Sequence, residues 1–245
     1  MTSMAQRLLS RITGADRGIL FRLQPDDRRR VNEVVQRNLT YLSQDKLYNL
    51  VNTCRTIGKA GVPGVFIEAG CALGGSTILL AELKPQGVPL RVYDVFDTIP
   101  PPSDADGADV HERYAAIVRG ESKGINGDAY YGYEKDLLAI VQRNLASFGI
   151  DLQRDRVELI QGLLQERLHV EEPVAFAHVD VDWYEPVMAC LQRIVPRLSV
   201  GGALILDDYN DWSGCRKAAD EYFAQPSPSF RLENRHGSMK ITRVS

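Results

Sequence analysis

The feature that most constrains the fold is an alternation between short apolar runs and longer stretches of helical periodicity. The apolar runs lie at residues 65–69, 90–95, 157–160, 174–179 and 202–206. Helical stretches lie between or after them at 76–83, 134–148, 187–198 and 214–224. Strands buried on both faces are continuously apolar, and in parallel sheets they alternate with helices. The pattern therefore predicts an α/β, doubly wound, Rossmann-like fold.

The chain divides into two parts at a break rich in glycine between residues 58 and 64. Residues 1–60 show helical periodicity and no strand signal, which predicts an N-terminal helical extension before an α/β domain over 61–245. An insertion at about 100–133, which opens with three prolines, interrupts the alternation after the second strand. An insertion at the carboxyl end of a strand is either a lid over a ligand site or a solvent-exposed loop, and we favour the lid.

Composition excludes several classes of protein. The chain has 29 Lys and Arg against 32 Asp and Glu, a net charge of −3, which argues against a nucleic-acid partner. No apolar run approaches the roughly 20 residues that span a bilayer, so we expect no membrane partner. The first residues lack the apolar core of a signal peptide, and the 4 cysteines have no Cys-x-x-Cys spacing. These features predict a cytoplasmic protein with cysteines used for packing.

A glycine-rich turn follows the first apolar run. Glu68 precedes it, Gly70 and Gly74 lie within it, and a helix opens at Ser76. Glycine lets a ligand approach the backbone, and a helix N-terminus offers unpaired N–H groups. The spacing is not that of the dinucleotide fingerprint, and the acids Glu68 and Asp94 favour a cationic ligand with a ribose over a pyrophosphate. The alternative is an ordinary tight strand-to-helix turn.

Aspartates follow two of the predicted strands. Asp180 and Asp182 come after the fourth apolar run, and Asp207 and Asp208 come after the fifth. If these strands are neighbours, the carboxylates converge and repel unless a cation lies between them. Oxygen ligands suit Mg²⁺, so the pattern predicts a magnesium site. The alternative is that one or two of the acids, Asp182 in particular, cap the next helices.

Candidates for the general base lie next to these acids. We expect the strand to end at Asp180, which then faces the metal, and Asp182 to lie farther out, beside the acceptor. We therefore assign proton abstraction to Asp182. His178, inside the apolar run, is either a packing residue or the rival base. Trp183 and Tyr184 either line a substrate pocket or pack in the core.

Five segments, in order and in register, resemble motifs of the macrocin O-methyltransferase family. Residues 61–76 resemble its opening motif, 94–100 its D-S-F-E-G-L-P, 178–185 its L-D-G-D-x-Y-E, 201–209 its G-G-x-x-x-x-D-D-Y, and 214–218 its G-C-x-x-A. The family's class I S-adenosylmethionine-dependent enzymes methylate sugar hydroxyls and include the mycinamicin and novobiocin tailoring methyltransferases. The likeness covers about residues 40–225. The turn departs from the family's G-V-W-R-G-G, because it lacks the tryptophan and the basic residue.

The resemblance implies S-adenosylmethionine and Mg²⁺ as cofactors. It assigns the methionine portion to the first turn with Glu68, Gly70, Gly74 and Ser76, the ribose to Asp94, and the adenine to Gln161, Gly162 and Leu163. It assigns Mg²⁺ to Asp180, Asp207 and Asp208. It also implies a small-molecule or oligosaccharide acceptor with a sugar hydroxyl, and a homodimer formed through the N-terminal helices.

Two other activities stay open at this point. A catechol-type phenol is the main alternative acceptor. A nicotinamide-dependent oxidoreductase would explain the glycine turn but not the aspartates. A catalytically silent module with the same fold would lose the metal acids, which this sequence keeps.

Overall fold

The computed structural model describes residues 17–245, and seven strands in this range form one mixed sheet in the order β3-β2-β1-β4-β5-β7-β6. The strands are β1 (Val65–Ala69), β2 (Leu90–Asp94), β3 (Val157–Gln161), β4 (Val174–Val179), β5 (Leu198–Leu206), β6 (Phe230–Arg235) and β7 (Ser238–Arg243). Strands β1 to β5 are parallel to one another, and the order reverses between β1 and β4. The doubly wound α/β fold is therefore confirmed.

An antiparallel hairpin that the apolar runs do not predict extends the parallel strands, since β7 pairs antiparallel with both β5 and β6. Neither strand of this hairpin is a continuous apolar run. In β6, at the edge of the sheet, Arg231, Glu233 and Arg235 alternate with less polar residues. Charged edge strands of this kind discourage pairing with another chain. Their sequences contain no apolar run from which a strand could be predicted.

Helices cover both faces of the sheet. They are α1 (Arg17–Leu20), α2 (Pro25–Gln36), α3 (Gln44–Ala60), α4 (Gly75–Leu83), α5 (Ala108–Val118), α6 (Leu137–Ser147), α7 (Leu164–Arg167), α8 (Tyr184–Ile194) and α9 (Ser213–Tyr222). Helices α1 to α4 and α6 share one apolar core with one face of the sheet, whereas α7, α8 and α9 share a second core with the other face. The predicted helical extension thus supplies part of one covering layer.

Helix α3 has clear sequence reasons for its bounds. The Ser43 hydroxyl accepts a hydrogen bond from the backbone N–H of Lys46 at 3.3 Å, and Gly61 ends the helix in the left-handed conformation. The predictions for residues 1–16, including the absence of a signal peptide, lie outside the described residues. Among residues 17–245 no helix has the length and apolarity needed to cross a bilayer.

The insertion at 100–133 folds over the carboxyl edge of the sheet and contains α5. Trp183 donates an indole hydrogen bond to the Pro100 carbonyl at 3.0 Å. The carboxylate of Asp106 accepts from the backbone N–H of Tyr184 at 2.7 Å, and that of Asp109 from Ser213 at 3.0 Å. Both acids thus lie at the N-termini of the helices that come after the aspartate-bearing strands, where negative charge is favoured.

Candidate active site

A cavity of about 720 Å³, including its open mouth, lies at the carboxyl ends of β1, β2 and β4. Among residues 17–245, every charged side chain that lines it is acidic. They are Asp94, Asp97, Asp106, Asp180, Asp182 and Glu185. A cavity lined by one sign of charge attracts the opposite sign, so this one favours a cationic or neutral ligand over an anionic one.

Gly70 closes the floor of this cavity. Its φ is 82°, and a Cβ at this position would lie 2.0 Å from the carbonyl oxygen of Asp180. The turn packs directly on the end of β4, and this contact by itself requires glycine at the position. Gly74 has a φ of 85° and lies against Val141, and Ser76 is buried inside α4, so both lie behind the turn.

Asp94 ends β2 and faces the cavity. Its two carboxylate oxygens accept hydrogen bonds from the backbone N–H groups of Cys71, at 2.7 Å, and Phe96, at 2.8 Å. Burial raises the pKa of the Asp94 carboxyl despite these donors. The two bonds fix the orientation of the carboxylate, and each oxygen keeps a lone pair that a ligand hydroxyl can use.

Glu68 and His178 lie beneath the cavity and do not line it. Glu68 is fully buried, accepts a hydrogen bond from the Thr77 hydroxyl, and lies 3.2 Å from Nδ1 of His178. His178 is 1% exposed, and its Nε2 lies 4.0 Å from Asp207. Burial lowers the pKa of His178, but hydrogen bonds with Asp207 and Glu68 outweigh it and raise the pKa to about 9. Both side chains therefore belong to a buried network, away from ligand contact.

Asp180, Asp207 and Asp208 converge beside the cavity. One carboxylate oxygen from each lies within 4.8 Å of the others, because β4 and β5 are neighbours and end at the same edge. Burial and the charges of Asp208 and Asp207 raise the pKa of Asp180 well above its usual range. Burial raises the pKa of Asp208 to about 6. An all-oxygen donor set with excess negative charge fits a hard divalent cation such as Mg²⁺.

Asp182 lies next to this cluster and lines the cavity. Its backbone is left-handed, with a φ of 56°, so the chain turns sharply after Asp180 instead of continuing as a strand. Its backbone N–H donates to Asp208 at 3.3 Å. Strained backbone of this kind is common at functional sites. Burial and the charge of Asp208 raise the pKa of the Asp182 carboxyl well above its usual range.

Lys46, in the first turn of α3, is a member of the site that the sequence did not reveal. Its Nζ lies 2.5 Å from Asp207 and 2.7 Å from Asp211, and its side chain is 12% exposed. Burial lowers the pKa of Lys46, but the carboxylates of Asp207, Asp208 and Asp211 outweigh it and hold the pKa well above its usual value. A single lysine among the polar residues of an amphipathic helix carries no signal for this role.

The insertion brings aromatic residues to the same cavity. Tyr131 lines it, and Tyr130 packs on Tyr131 with ring centroids 4.5 Å apart. Arg113 of α5 lies over the Tyr130 ring at 5.2 Å. Burial raises the pKa of Tyr130 to about 12, so its hydroxyl stays protonated. The insertion contains Tyr130, Tyr131 and Tyr133 close together, and this composition is the sequence feature that indicates an aromatic lining.

Residues after β3 also line the cavity. Gly162 and Leu163 line it, whereas Gln161 points away and donates a side-chain hydrogen bond to the Val95 carbonyl at 3.2 Å. Trp183 and the proline segment at 100–102 line the same cavity. Of the predicted cofactor residues, four therefore line the cavity: Gly70, Asp94, Gly162 and Leu163.

Comparisons with known proteins agree with one another. The family model described as macrocin-O-methyltransferase (TylF) matches residues 5–227. The chain is 28% identical over 194 residues to demethyldecarbamoylnovobiocin O-methyltransferase of Streptomyces niveus, covering 76% of the chain and 68% of that relative. It is 30% identical over 190 residues to mycinamicin III 3''-O-methyltransferase of Micromonospora griseorubida, covering 75% of the chain and 69% of that relative.

A third relative and two solved structures extend the likeness. An 8-demethyl-8-(2,3-dimethoxy-alpha-L-rhamnosyl)-tetracenomycin-C 4'-O-methyltransferase of Streptomyces olivaceus is 31% identical over 189 residues, covering 75% of the chain and 67% of the relative. The O-methyltransferase NovP superposes with a TM-score of 0.67 at 23% identity over 84% of the chain and 83% of NovP. An O-methyltransferase from Bacillus cereus bound to S-adenosylhomocysteine superposes with a TM-score of 0.53 at 19% identity. The match covers 97% of the chain and 100% of that enzyme. At these identities the two structures show the fold alone.

Proposed function

The chain belongs to the macrocin O-methyltransferase (TylF) family and is an S-adenosylmethionine-dependent O-methyltransferase, and from this premise we propose that it methylates a sugar hydroxyl of a natural product with the help of Mg²⁺. Family membership removes the nicotinamide-dependent oxidoreductase from consideration. The names of the curated relatives support a sugar-bearing small molecule as acceptor, since one names a rhamnosyl group and another the 3''-position of mycinamicin III.

The acidic cavity supports a role as the cofactor site. S-adenosylmethionine carries a sulfonium and an ammonium, and when bound it supplies the electrophilic methyl carbon. Asp94 is fixed by two backbone donors, which leaves it ready to accept a hydrogen bond from a ribose hydroxyl. Gly162 and Leu163, which line the cavity together with Trp183, would lie against the adenine. Glu68, Gly74, Ser76 and Gln161 are not assigned cofactor contacts, because they lie outside the cavity lining.

The convergence of Asp180, Asp207 and Asp208 is the observation that carries the metal assignment. These three carboxylates would hold Mg²⁺, which when bound polarises a neighbouring hydroxyl and lowers its pKa. Asp182 is exposed to the cavity beside them and is the candidate proton acceptor. His178 is a poor candidate, because its ring nitrogens face Glu68 and Asp207 in a buried network. We therefore assign Asp182 as the general base.

The experiment that tests the function is methyl transfer from labelled S-adenosylmethionine, with and without Mg²⁺, to a panel of free sugars, glycosylated macrolides and polyketides, and catechols. We expect label in glycosides, dependent on Mg²⁺ and lost with EDTA. Label in catechols alone would move the acceptor to the phenol class, and full turnover after exhaustive chelation would remove the metal from the mechanism. The homodimer and the cytoplasmic location stay proposals, and light scattering in solution tests the first.

A further inference from the structure

We propose that Lys46 is a positioning residue for the aspartate cluster of Asp180, Asp207 and Asp208: it fixes the Asp207 carboxylate and, as a resident positive charge, limits the affinity of the cluster for its divalent cation. The inference rests on the proposed magnesium site. It concerns a residue from the N-terminal helical layer, outside every motif of the sequence.

The first support is geometric. Lys46 reaches Asp207 at 2.5 Å and Asp211 at 2.7 Å, so its ammonium is bound on two sides. The turn between β6 and β7 covers its methylene groups, since a Cβ at Gly237 would lie 3.3 Å from Cγ of Lys46. A lysine covered and paired in this way is held against Asp207 instead of sampling solvent.

The second support is the distribution of charge. Within the described residues, the ion pairs recorded at the cluster both fall on Asp207, from Lys46 and from His178 at 4.0 Å. In that same range Asp180 and Asp208 form no ion pair within 4.0 Å, although the charge of Lys46 also lowers the pKa of both, and repulsion among the carboxylates favours an added cation. The charge of Lys46 therefore acts most strongly on Asp207 and less strongly on Asp208 and Asp180.

Because of this arrangement, we expect the removal of Lys46 to have two opposite effects, one on metal affinity and one on turnover. A unit charge a few ångströms from a divalent cation opposes its binding, so a neutral residue should tighten the metal. Loss of the lysine also frees the Asp207 carboxylate to rotate, so turnover should fall. A lysine that only stabilised the fold would not give tighter metal binding.

The test is Mn²⁺ binding measured by electron paramagnetic resonance, with turnover measured separately. We expect Lys46→Met to bind Mn²⁺ about tenfold tighter or more, with reduced kcat, whereas Lys46→Arg keeps the affinity within about twofold. Lys59→Met, on an exposed position of the same helix, removes the same charge far from the cluster and should change neither quantity. S-adenosylhomocysteine affinity checks that each variant is folded.

Unchanged or weaker Mn²⁺ binding by folded Lys46→Met would overturn the inference. If that variant does not fold, Lys46→Gln, which still donates a hydrogen bond to Asp207, carries the same expectation of tighter binding. A wild-type protein that binds S-adenosylhomocysteine but no Mn²⁺ would instead refute the magnesium site, and the inference with it. If Lys46→Met binds Mn²⁺ more tightly but the protein methylates no glycoside, the inference about Lys46 stands and the proposed sugar acceptor is refuted.

Discussion

The carboxylate of Asp106, in the insertion, accepts a hydrogen bond from the backbone N–H of Tyr184 at 2.7 Å. Tyr184 is the first residue of α8, which begins directly after the cavity-lining residues Asp182 and Trp183. The same carboxylate accepts from the backbone N–H of Ser103 at 3.0 Å, so one side chain ties the proline segment to the catalytic edge of the sheet. The predicted lid is therefore attached to the helix beneath it.

We expect Asp106→Ala to loosen this attachment. The loss of a helix cap costs about 0.5–2 kcal/mol, and a displaced proline segment should raise the KM for S-adenosylmethionine. Thermal unfolding and steady-state kinetics measure the two effects. Asp104→Ala, at an exposed position of the same segment, is the control and should leave both unchanged. An Asp106→Ala enzyme with unaltered KM would mean that the segment does not cover the cofactor.

Asp94→Asn should weaken binding of S-adenosylhomocysteine. The substitution keeps the shape of the side chain but removes the charge that accepts a ribose hydrogen bond, a loss of about 1–3 kcal/mol. Isothermal titration calorimetry gives the affinity. Asp97→Asn lines the same cavity and should have a smaller effect. Equal affinities of Asp94→Asn and the wild type would contradict the ribose assignment.

Asp180→Asn should raise the Mg²⁺ concentration needed for half-maximal activity, because it removes one of three converging carboxylates. Binding of S-adenosylhomocysteine should persist in this variant and in the wild type treated with EDTA, since the cation serves the acceptor. Activity titrated with Mg²⁺ and calorimetry without Mg²⁺ check the two statements. Loss of cofactor binding on chelation would place the cation on the cofactor side of the site.

Asp182→Asn should keep the metal dependence and lower turnover about 10²–10⁴-fold, as the loss of a general base does. His178→Gln should act mainly on stability, because it disturbs a buried network with Glu68 and Asp207. Single-turnover rates and melting temperatures separate the two. Near-normal turnover in Asp182→Asn together with an inactive but stable His178→Gln would reverse the assignment.

Gly70→Ala should destabilise the protein and abolish cofactor binding. The new methyl group would lie 2.0 Å from the Asp180 carbonyl oxygen in a left-handed backbone conformation. Gly120→Ala is the matched control, because Gly120 has a φ of 74° and nothing within 4 Å of the added carbon. It should cost only the conformational penalty of about 1–2 kcal/mol, measured by chemical unfolding. Equal losses in the two variants would show that the contact with Asp180 is unimportant.

Local sequence patterns are enough to predict the parallel part of the sheet and the convergence of the three aspartates. The five parallel strands are apolar runs, and their carboxyl ends share one edge, so Asp180, Asp207 and Asp208 are expected together. The need for glycine at Gly70 is also predictable from the sequence, although the partner that requires it is the protein's own Asp180 backbone.

The relationships that the sequence could not predict depend on which way a side chain points and on distant pairing. Glu68 and His178 are directly paired in register on β1 and β4, where both are turned into the protein instead of the cavity. The alternation of a strand does not tell which of its two faces carries a ligand. Strand β6 lacks an apolar run, and Lys46 lies 161 residues from Asp207 in sequence. None of these relationships can be recognised from the residues that are neighbours in the sequence.

The pairing of Lys46 with Asp207, covered by the turn at Gly237, also has a consequence for synthesis. Contacts between residues so far apart in the chain form slowly, after more local structure. On the ribosome the helix that carries Lys46 emerges before the aspartates that follow β5, and the turn that covers the lysine emerges after them. The site that we propose is therefore complete only once the hairpin of β6 and β7 has docked on the sheet and covered the lysine.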